Sequence, residues 1–220
     1  MLFQDRIDAG RRLANALLDY RDRRPVILAL PRGGVLVAAE VAASFDAPLD
    51  LILVRKIGLP SQPELAMGAV TDGEEPTIIR NDDVIESFGV SEREFEAVCK
   101  TELAEVERRR KRYLRDRPRA EVKGEVTILI DDGIATGATT LAAIRAVRGR
   151  EPKELVLAVP VAPLDTVSKL RPEVDAIVCL NTPADLGAIG FFYRDFSQVS
   201  DEEVIATLAC FPANRPARAS

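Results

Sequence analysis

Two adjacent carboxylates, closely followed by a glycine and three threonines, form the stretch most capable of chemistry. Asp131 and Asp132 stand directly after the apolar run 126–130, and Ala135, Thr136, Gly137, Ala138, Thr139 and Thr140 come next. An apolar strand ending in two acids, then a loop of small residues, then a helix, lies beyond the carboxyl end of a strand. Doubly wound sheets bind their ligands there. Gly137 lets the backbone approach a ligand closely, and free amides at a helix start favour a phosphate. The threonine hydroxyls add donors. The acids would repel a phosphate they touched, but a few residues away they suit the hydroxyls of a sugar. A ribose 5-phosphate satisfies both ends. The Gly-Lys-Ser/Thr element of a Walker loop and the G-x-G-x-x-G dinucleotide fingerprint are both missing.

Cations stand at two other strand ends. Arg32, Gly33 and Gly34 follow the apolar run 26–30, and Arg55 and Lys56 follow the run 49–54. The 220 residues contain no His, which excludes Ser-His-Asp and Cys-His catalysis and His-based zinc sites. Three scattered Cys give neither a disulfide framework nor a four-ligand zinc spacing. The net charge of −5 argues against nucleic acid as a partner. With no membrane-length apolar run and no leader pattern, a cytoplasmic protein is expected.

These residues need a scaffold. Apolar spacing predicts a helix over 5–19, strands at 26–30 and 49–54, and a helix over Gly33–Phe45. Pro and Gly mark 56–63 as loop. A hairpin is expected from 65–70 and 77–79 around 71–76. Asn81 and Ser91 are helix N-caps, and Ser91 with Glu94 forms a capping box. The helix from Ser91 turns strongly basic at Arg108–Arg112, which reads as a solvated end or as a cover for a phosphate. Then Val126–Ile130, 155–161 and 177–180 read as strands, and 137–148 and Leu164–Leu170 as helices. Ser200 with Glu203 opens the last helix. Fully apolar strands alternating with helices predict an α/β fold, a doubly wound and mostly parallel sheet. The expected organisation is one domain over 1–211, with a helical insertion at about 81–120, a small hood at about 181–200 and a flexible tail at 212–220.

The segment Asp131-Asp132-Gly133-Ile134-Ala135-Thr136-Gly137-Ala138-Thr139 resembles the 5-phosphoribosyl-1-pyrophosphate (PRPP) motif of type I phosphoribosyltransferases, notably the adenine-type enzymes. Arg32-Gly33-Gly34 resembles that family's pyrophosphate loop, which implies a cis peptide between Pro31 and Arg32. Arg55-Lys56-Ile57-Gly58 resembles a second pyrophosphate-binding segment. Phe192-Tyr193-Arg194-Asp195-Phe196 is similar to a segment of hypoxanthine-guanine enzymes, which makes Arg194 a further pyrophosphate contact. The chain also resembles uncharacterised bacterial phosphoribosyltransferase-like proteins that share an opening Phe-x-Asp-Arg.

The resemblance implies a magnesium-dependent transfer of the phosphoribosyl group from PRPP to a nitrogenous base or similar nucleophile, with release of pyrophosphate. Asp131, Asp132, Arg32 and Lys56 would carry it. Magnesium would arrive on PRPP, with no direct protein ligand and the two acids outside its shell. Phe191, Phe192 and Tyr193 would stack on the acceptor, and a homodimer is expected. Ala135 replaces the purine-directed Asp of hypoxanthine-guanine enzymes, and 155–161 has no Lys, which argues against a 6-oxopurine. Glu64, Asp72 and Glu74 lie where adenine-type enzymes keep a catalytic Glu, and none aligns cleanly. The alternative is a PRPP-sensing regulator that kept the fold without the reaction.

Overall fold

The computed structural model describes residues 2–72 and 76–215, with Glu64 described by its backbone alone. In chain order come α1 (Arg6–Ala16), α2 (Leu18–Arg21), β1 (Val26–Ala29), α3 (Gly33–Phe45), β2 (Leu49–Leu51), β3 (Val54–Leu59), β4 (Gln62–Thr71) and β5 (Ile78–Arg80). Then follow α4 (Asp82–Ser87), α5 (Glu92–Leu114), β6 (Val126–Ile130), α6 (Ala138–Arg148), β7 (Glu154–Val161), α7 (Leu164–Leu170), β8 (Ala176–Asn181) and α8 (Asp201–Ala209). Asp5 caps α1 by accepting the Asp8 N–H. Both predicted capping boxes form, Ser91 with Glu94 and Ser200 with Glu203.

Five strands form a parallel sheet in the order β2-β1-β6-β7-β8. Its strands are mostly apolar because each face has its own core, with Asp50 and Thr127 as buried polar exceptions. Ile27, Ala29, Ile128, Ile130, Val156 and Ala158 join the core built with α1, α3 and α5. Their sequence neighbours Val26, Leu28, Leu129, Leu155, Leu157 and Val159 join the core under α6 and α7. The two-residue side-chain period of a strand produces this division. Burying one such Leu or Ile contributes about 1.5–3 kcal/mol. The strand order reverses at the β1/β6 boundary, the switch point where ligands gather in open α/β sheets.

Three readings of the sequence need correction. The helix expected over 5–19 breaks at Leu17 into α1 and α2. Residues 56–63 are not loop: β3 and β4 pair antiparallel, with Leu59 opposite Gln62 and register shifts around Gly58. β5 completes this three-stranded sheet, and α4 and α5 follow it. The tail is docked as far as it is described. Leu49 N–H donates to Pro212 O at 3.1 Å, Ala213 is buried, and Arg215 donates to the carbonyls of Arg24 and Pro25. Residues 73–75, including Glu74 and the tip of the expected hairpin, and residues 216–220 lie outside the described residues. No described helix is long and apolar enough to cross a membrane.

Candidate functional site

The loops after β1 and β6 interlock. Leu30 N–H donates to Ile130 O at 2.9 Å, which carries the pairing of the two strands past their ends. The Pro31–Arg32 peptide is cis. A Cβ on Gly33 would occupy the position of Asp132 Oδ2 and lie 2.7 Å from Arg6 Nε. A Cβ on Gly34 would lie 2.9 Å from Asp131 Cα. Glycine is required there for close approach, since any side chain would push the two loops apart. Gly137 is required for its conformation: its φ of 81° is left-handed, and a Cβ would also sit 2.9 Å from Thr166 Cγ2. Thr166, on α7, donates its hydroxyl to Ala135 O at 2.9 Å and so braces the loop from below.

Ala135, Thr136, Ala138 and Thr139 are exposed along this loop. The amides of Ala138, Thr139 and Thr140 open α6 and have no acceptor within the helix. Thr140 itself is buried.

The acid pair is asymmetric. Asp132 N–H donates to Asp131 Oδ1 at 2.8 Å. Burial, and then the charge of Asp132, raise Asp131 well above the usual carboxylate range. Asp132 instead meets a cation: Arg6 Nε donates to its Oδ2 at 2.7 Å. Arg6 is buried, donates also to Ser197 O at 2.8 Å, and stacks 3.9 Å from the ring centre of Phe196. Tyr193 donates its hydroxyl to Asp132 O at 2.6 Å, and burial raises its phenol.

Of the predicted cations, Arg55 and Lys56 line cavities beside this floor. A cavity of about 60 Å³ is lined by Pro31, Arg55, Asp131 and Thr139, together with Val106 and Arg109 from α5. A groove of about 470 Å³ is lined by Arg55, Lys56, Arg109 and Thr139. The insertion therefore roofs the site. Arg55 donates to Glu102 of α5 at 2.6 Å. Arg32 stands 3.8 Å from Asp201 at the start of α8. Asp201 also accepts the Tyr113 hydroxyl at 2.5 Å and pairs with Arg112 at 3.0 Å. Tyr113 is pushed up to about 12 by burial and by Asp201. Arg108 and Arg109 both bind Glu105, whose carboxyl is held down at about 2.

Arg194 is exposed on the hood, where its N–H donates to Phe3 O, and it is not among the described residues that line either cavity. Arg6 reaches the acids instead. Tyr193 is not a stacking ring either. It is 6% exposed and packs between Phe3 and Phe196, at 5.3 and 4.8 Å between ring centres. Phe192 is half-buried, whereas Phe191 is 76% exposed. Asp72 does not serve the site as a free base: its carboxylate holds Leu53 N–H and pairs with Arg119. The side chain of Glu64 lies outside the described residues.

Residue-type reasoning left out Arg6, Thr166, Glu102 and Asp201. Only Arg6 carried a signal, the opening Phe3-x-Asp5-Arg6 shared with the uncharacterised bacterial proteins.

Comparison with known proteins agrees with this geometry. The phosphoribosyl transferase domain family matches residues 3–193. Two Mycobacterium tuberculosis proteins provisionally named phosphoribosyl transferase, MT0597 and Rv0571c, are each 47% identical over 207 residues, covering 94% of this chain and 46% of theirs. The chain thus spans about half the length of the curated relatives it matches. The crystal structure of TT1426 from Thermus thermophilus superimposes with a TM-score of 0.84 at 40% identity, covering 96% of this chain and 100% of that one.

Proposed function

Because this chain belongs to the phosphoribosyl transferase domain family, we propose that it binds PRPP and moves the 5-phosphoribosyl group to a nitrogenous base or similar nucleophile, releasing pyrophosphate. The observation that carries this reading is the contact of Gly33 with Asp132 at the sheet's switch point. It sets a loop suited to a diphosphate directly against acids suited to a ribose diol, with the phosphate loop of α6 beyond them.

In this reading the 5-phosphate sits on the amides of Ala138 and Thr139 and the hydroxyls of Thr136 and Thr139. Asp131 and Asp132 accept from the ribose hydroxyls. As the bond from C1 to pyrophosphate breaks, positive charge grows on the sugar and negative charge on the leaving group. Arg32, Arg55, Lys56 and the amides of Gly33 and Gly34 then stabilise the leaving group, with Arg109 above them. Fixed charges and dipoles of this kind are the main resource of a site without a histidine.

The donors present fit magnesium, a hard cation that keeps its waters and takes few carboxylates. It would travel on PRPP oxygens with Asp131 and Asp132 near its outer shell, and it would neutralise the diphosphate. Arg6 acts through Asp132: its ion pair fixes the carboxylate's direction. Phe191 is the hood ring available to an acceptor, so Phe191→Ala is expected to raise the acceptor KM several-fold and to leave PRPP affinity unchanged.

A second reading, a PRPP-sensing regulator, is favoured by one observation: Asp72, the described candidate base, is held by Arg119 and Arg110. Calorimetric titration of PRPP with and without magnesium, followed by pyrophosphate release against purines, pyrimidines and small amines, separates the two. Magnesium-dependent binding with release for one acceptor supports the enzyme. Binding without release supports the sensor, and no binding defeats both.

A further inference from the structure

One sizeable cavity lies away from this site. It measures about 860 Å³ and lies between the C-terminal end of α6 and the segment 117–123. The phosphate loop is at the opposite end of α6, a helix of 11 residues. At 1.5 Å per residue the two places are about 16 Å apart.

The walls are rich in cations. Arg110, Arg117, Arg119, Arg150 and Lys123 line the cavity, against the carboxylates of Asp72 and Glu121. Arg119 and Arg110 share one oxygen, Asp72 Oδ2, at 3.0 and 3.5 Å. Arg117 donates to the carbonyls of Leu208 and Leu49, and its Nε is buried without a partner. Arg150 donates to Ala120 O. Neither Arg117 nor Arg150 meets a described carboxylate at ion-pair distance. The nearby Asp50 is buried, accepts Ala120 N–H at 2.8 Å and has its other oxygen unpaired. Asp50 and Asp72 are thus the buried acids set against four arginines, so positive charge remains in excess.

Guanidinium groups withdrawn from water without an anion are costly to keep. An anion with several oxygens removes that cost, and a planar fork of N–H donors matches a phosphate better than any other common group. The volume lies within the usual range for small-molecule sites, about 300–1,000 Å³. We propose that this cavity is a second binding site, for a small molecule that carries a phosphate or diphosphate group. The inference does not rest on the phosphoribosyl reading, because no residue of the phosphate loop or acid pair lines the cavity.

The test is calorimetric titration of inorganic pyrophosphate into the full chain, in chelator without magnesium. The wild type should show two binding events. Arg150→Gln should weaken one of them at least about tenfold, and Thr139→Asp, which places a charge on the exposed phosphate loop, should weaken only the other. If the phosphate loop binds nothing, a single event sensitive to Arg150→Gln should remain. Arg150 also supports Ala120, so a rim variant covers a failure to fold: Lys123→Glu, with its side chain 72% exposed, should weaken the same event about threefold. A single event abolished by Thr139→Asp overturns the proposal. So does pyrophosphate binding that Lys123→Glu leaves unchanged.

Discussion

The floor and the roof of the candidate site are built by different means. The floor, Asp131 to Gly137 against Arg32 to Gly34, is set by backbone in close contact, with glycines wherever a side chain would collide. The roof, α5 with the β3–β4 hairpin, meets α8 near the site through Arg112 and Tyr113 to Asp201, and is braced within itself by Arg55 to Glu102 and Arg109 to Glu105. Close packing tolerates almost no displacement. Partly exposed ion pairs are weak singly and are screened by salt. Beside the site, therefore, the floor is held by close packing and the roof by pairs of side chains, although the roof's far face joins the main core.

That contrast breaks first if the floor proves yielding. Gly33→Ala, whose methyl would claim the space of Asp132 Oδ2, should lower PRPP affinity by about 100-fold and stability by about 1–3 kcal/mol. Titration calorimetry and denaturant melts read both, and unchanged affinity would show that the floor gives way.

The two acids should then separate. Asp132→Asn strips Arg6 of its ion-pair partner and should destabilise by about 3 kcal/mol. Asp131→Asn should hold or raise the melting temperature at pH 7 while weakening PRPP at least tenfold. The sign follows from protonation. Asp131 is raised in the fold, so the folded chain holds that proton more tightly than the unfolded one, and stability falls as pH rises above about 3.8 towards the folded value. The variant's advantage should grow over that window, and an advantage that shrinks would contradict the assigned burial.

The roof should respond more mildly. Glu102→Gln releases Arg55 and should change pyrophosphate affinity about two- to five-fold, with stability altered by no more than about 1 kcal/mol. In 0.5 M salt the difference between variant and wild type should largely vanish. The smallest effect is expected at Glu105. Its carboxyl is held down by Arg108 and Arg109, so its contribution is present above about 4.5 and is lost as pH falls through about 2. Glu105→Gln should lower the melting temperature slightly at neutral pH, and its difference from the wild type should shrink as pH falls through about 2; a difference that persists undiminished in acid would contradict the assigned ion pairs.

The floor was also the half that the sequence made legible. Apolar strands 126–130 and 26–30 announced a doubly covered parallel sheet, and the acids, glycines and threonines after them are consecutive in the chain. The roof was misread where Gly58, Pro60 and Pro63 suggested loop. In the fold Gly58 and Pro63 meet at a register shift, where a missing N–H and a missing side chain are both tolerated. Arg6 escaped for a different reason. It lies 126 residues from Asp132, and no local pattern marks a surface-type residue on α1 as the buried partner of a distant acid.

The tie between Tyr193 and Asp132 has a consequence for biosynthesis. The two residues are 61 positions apart, and Ser197, which steadies Arg6, comes later still. At synthesis rates of about 5–20 residues per second, the acid pair leaves the ribosome about 3–12 s before the groups that hold it. A nascent chain can complete most of the parallel sheet in that interval, yet its acid pair acquires its full set of partners only when the hood emerges.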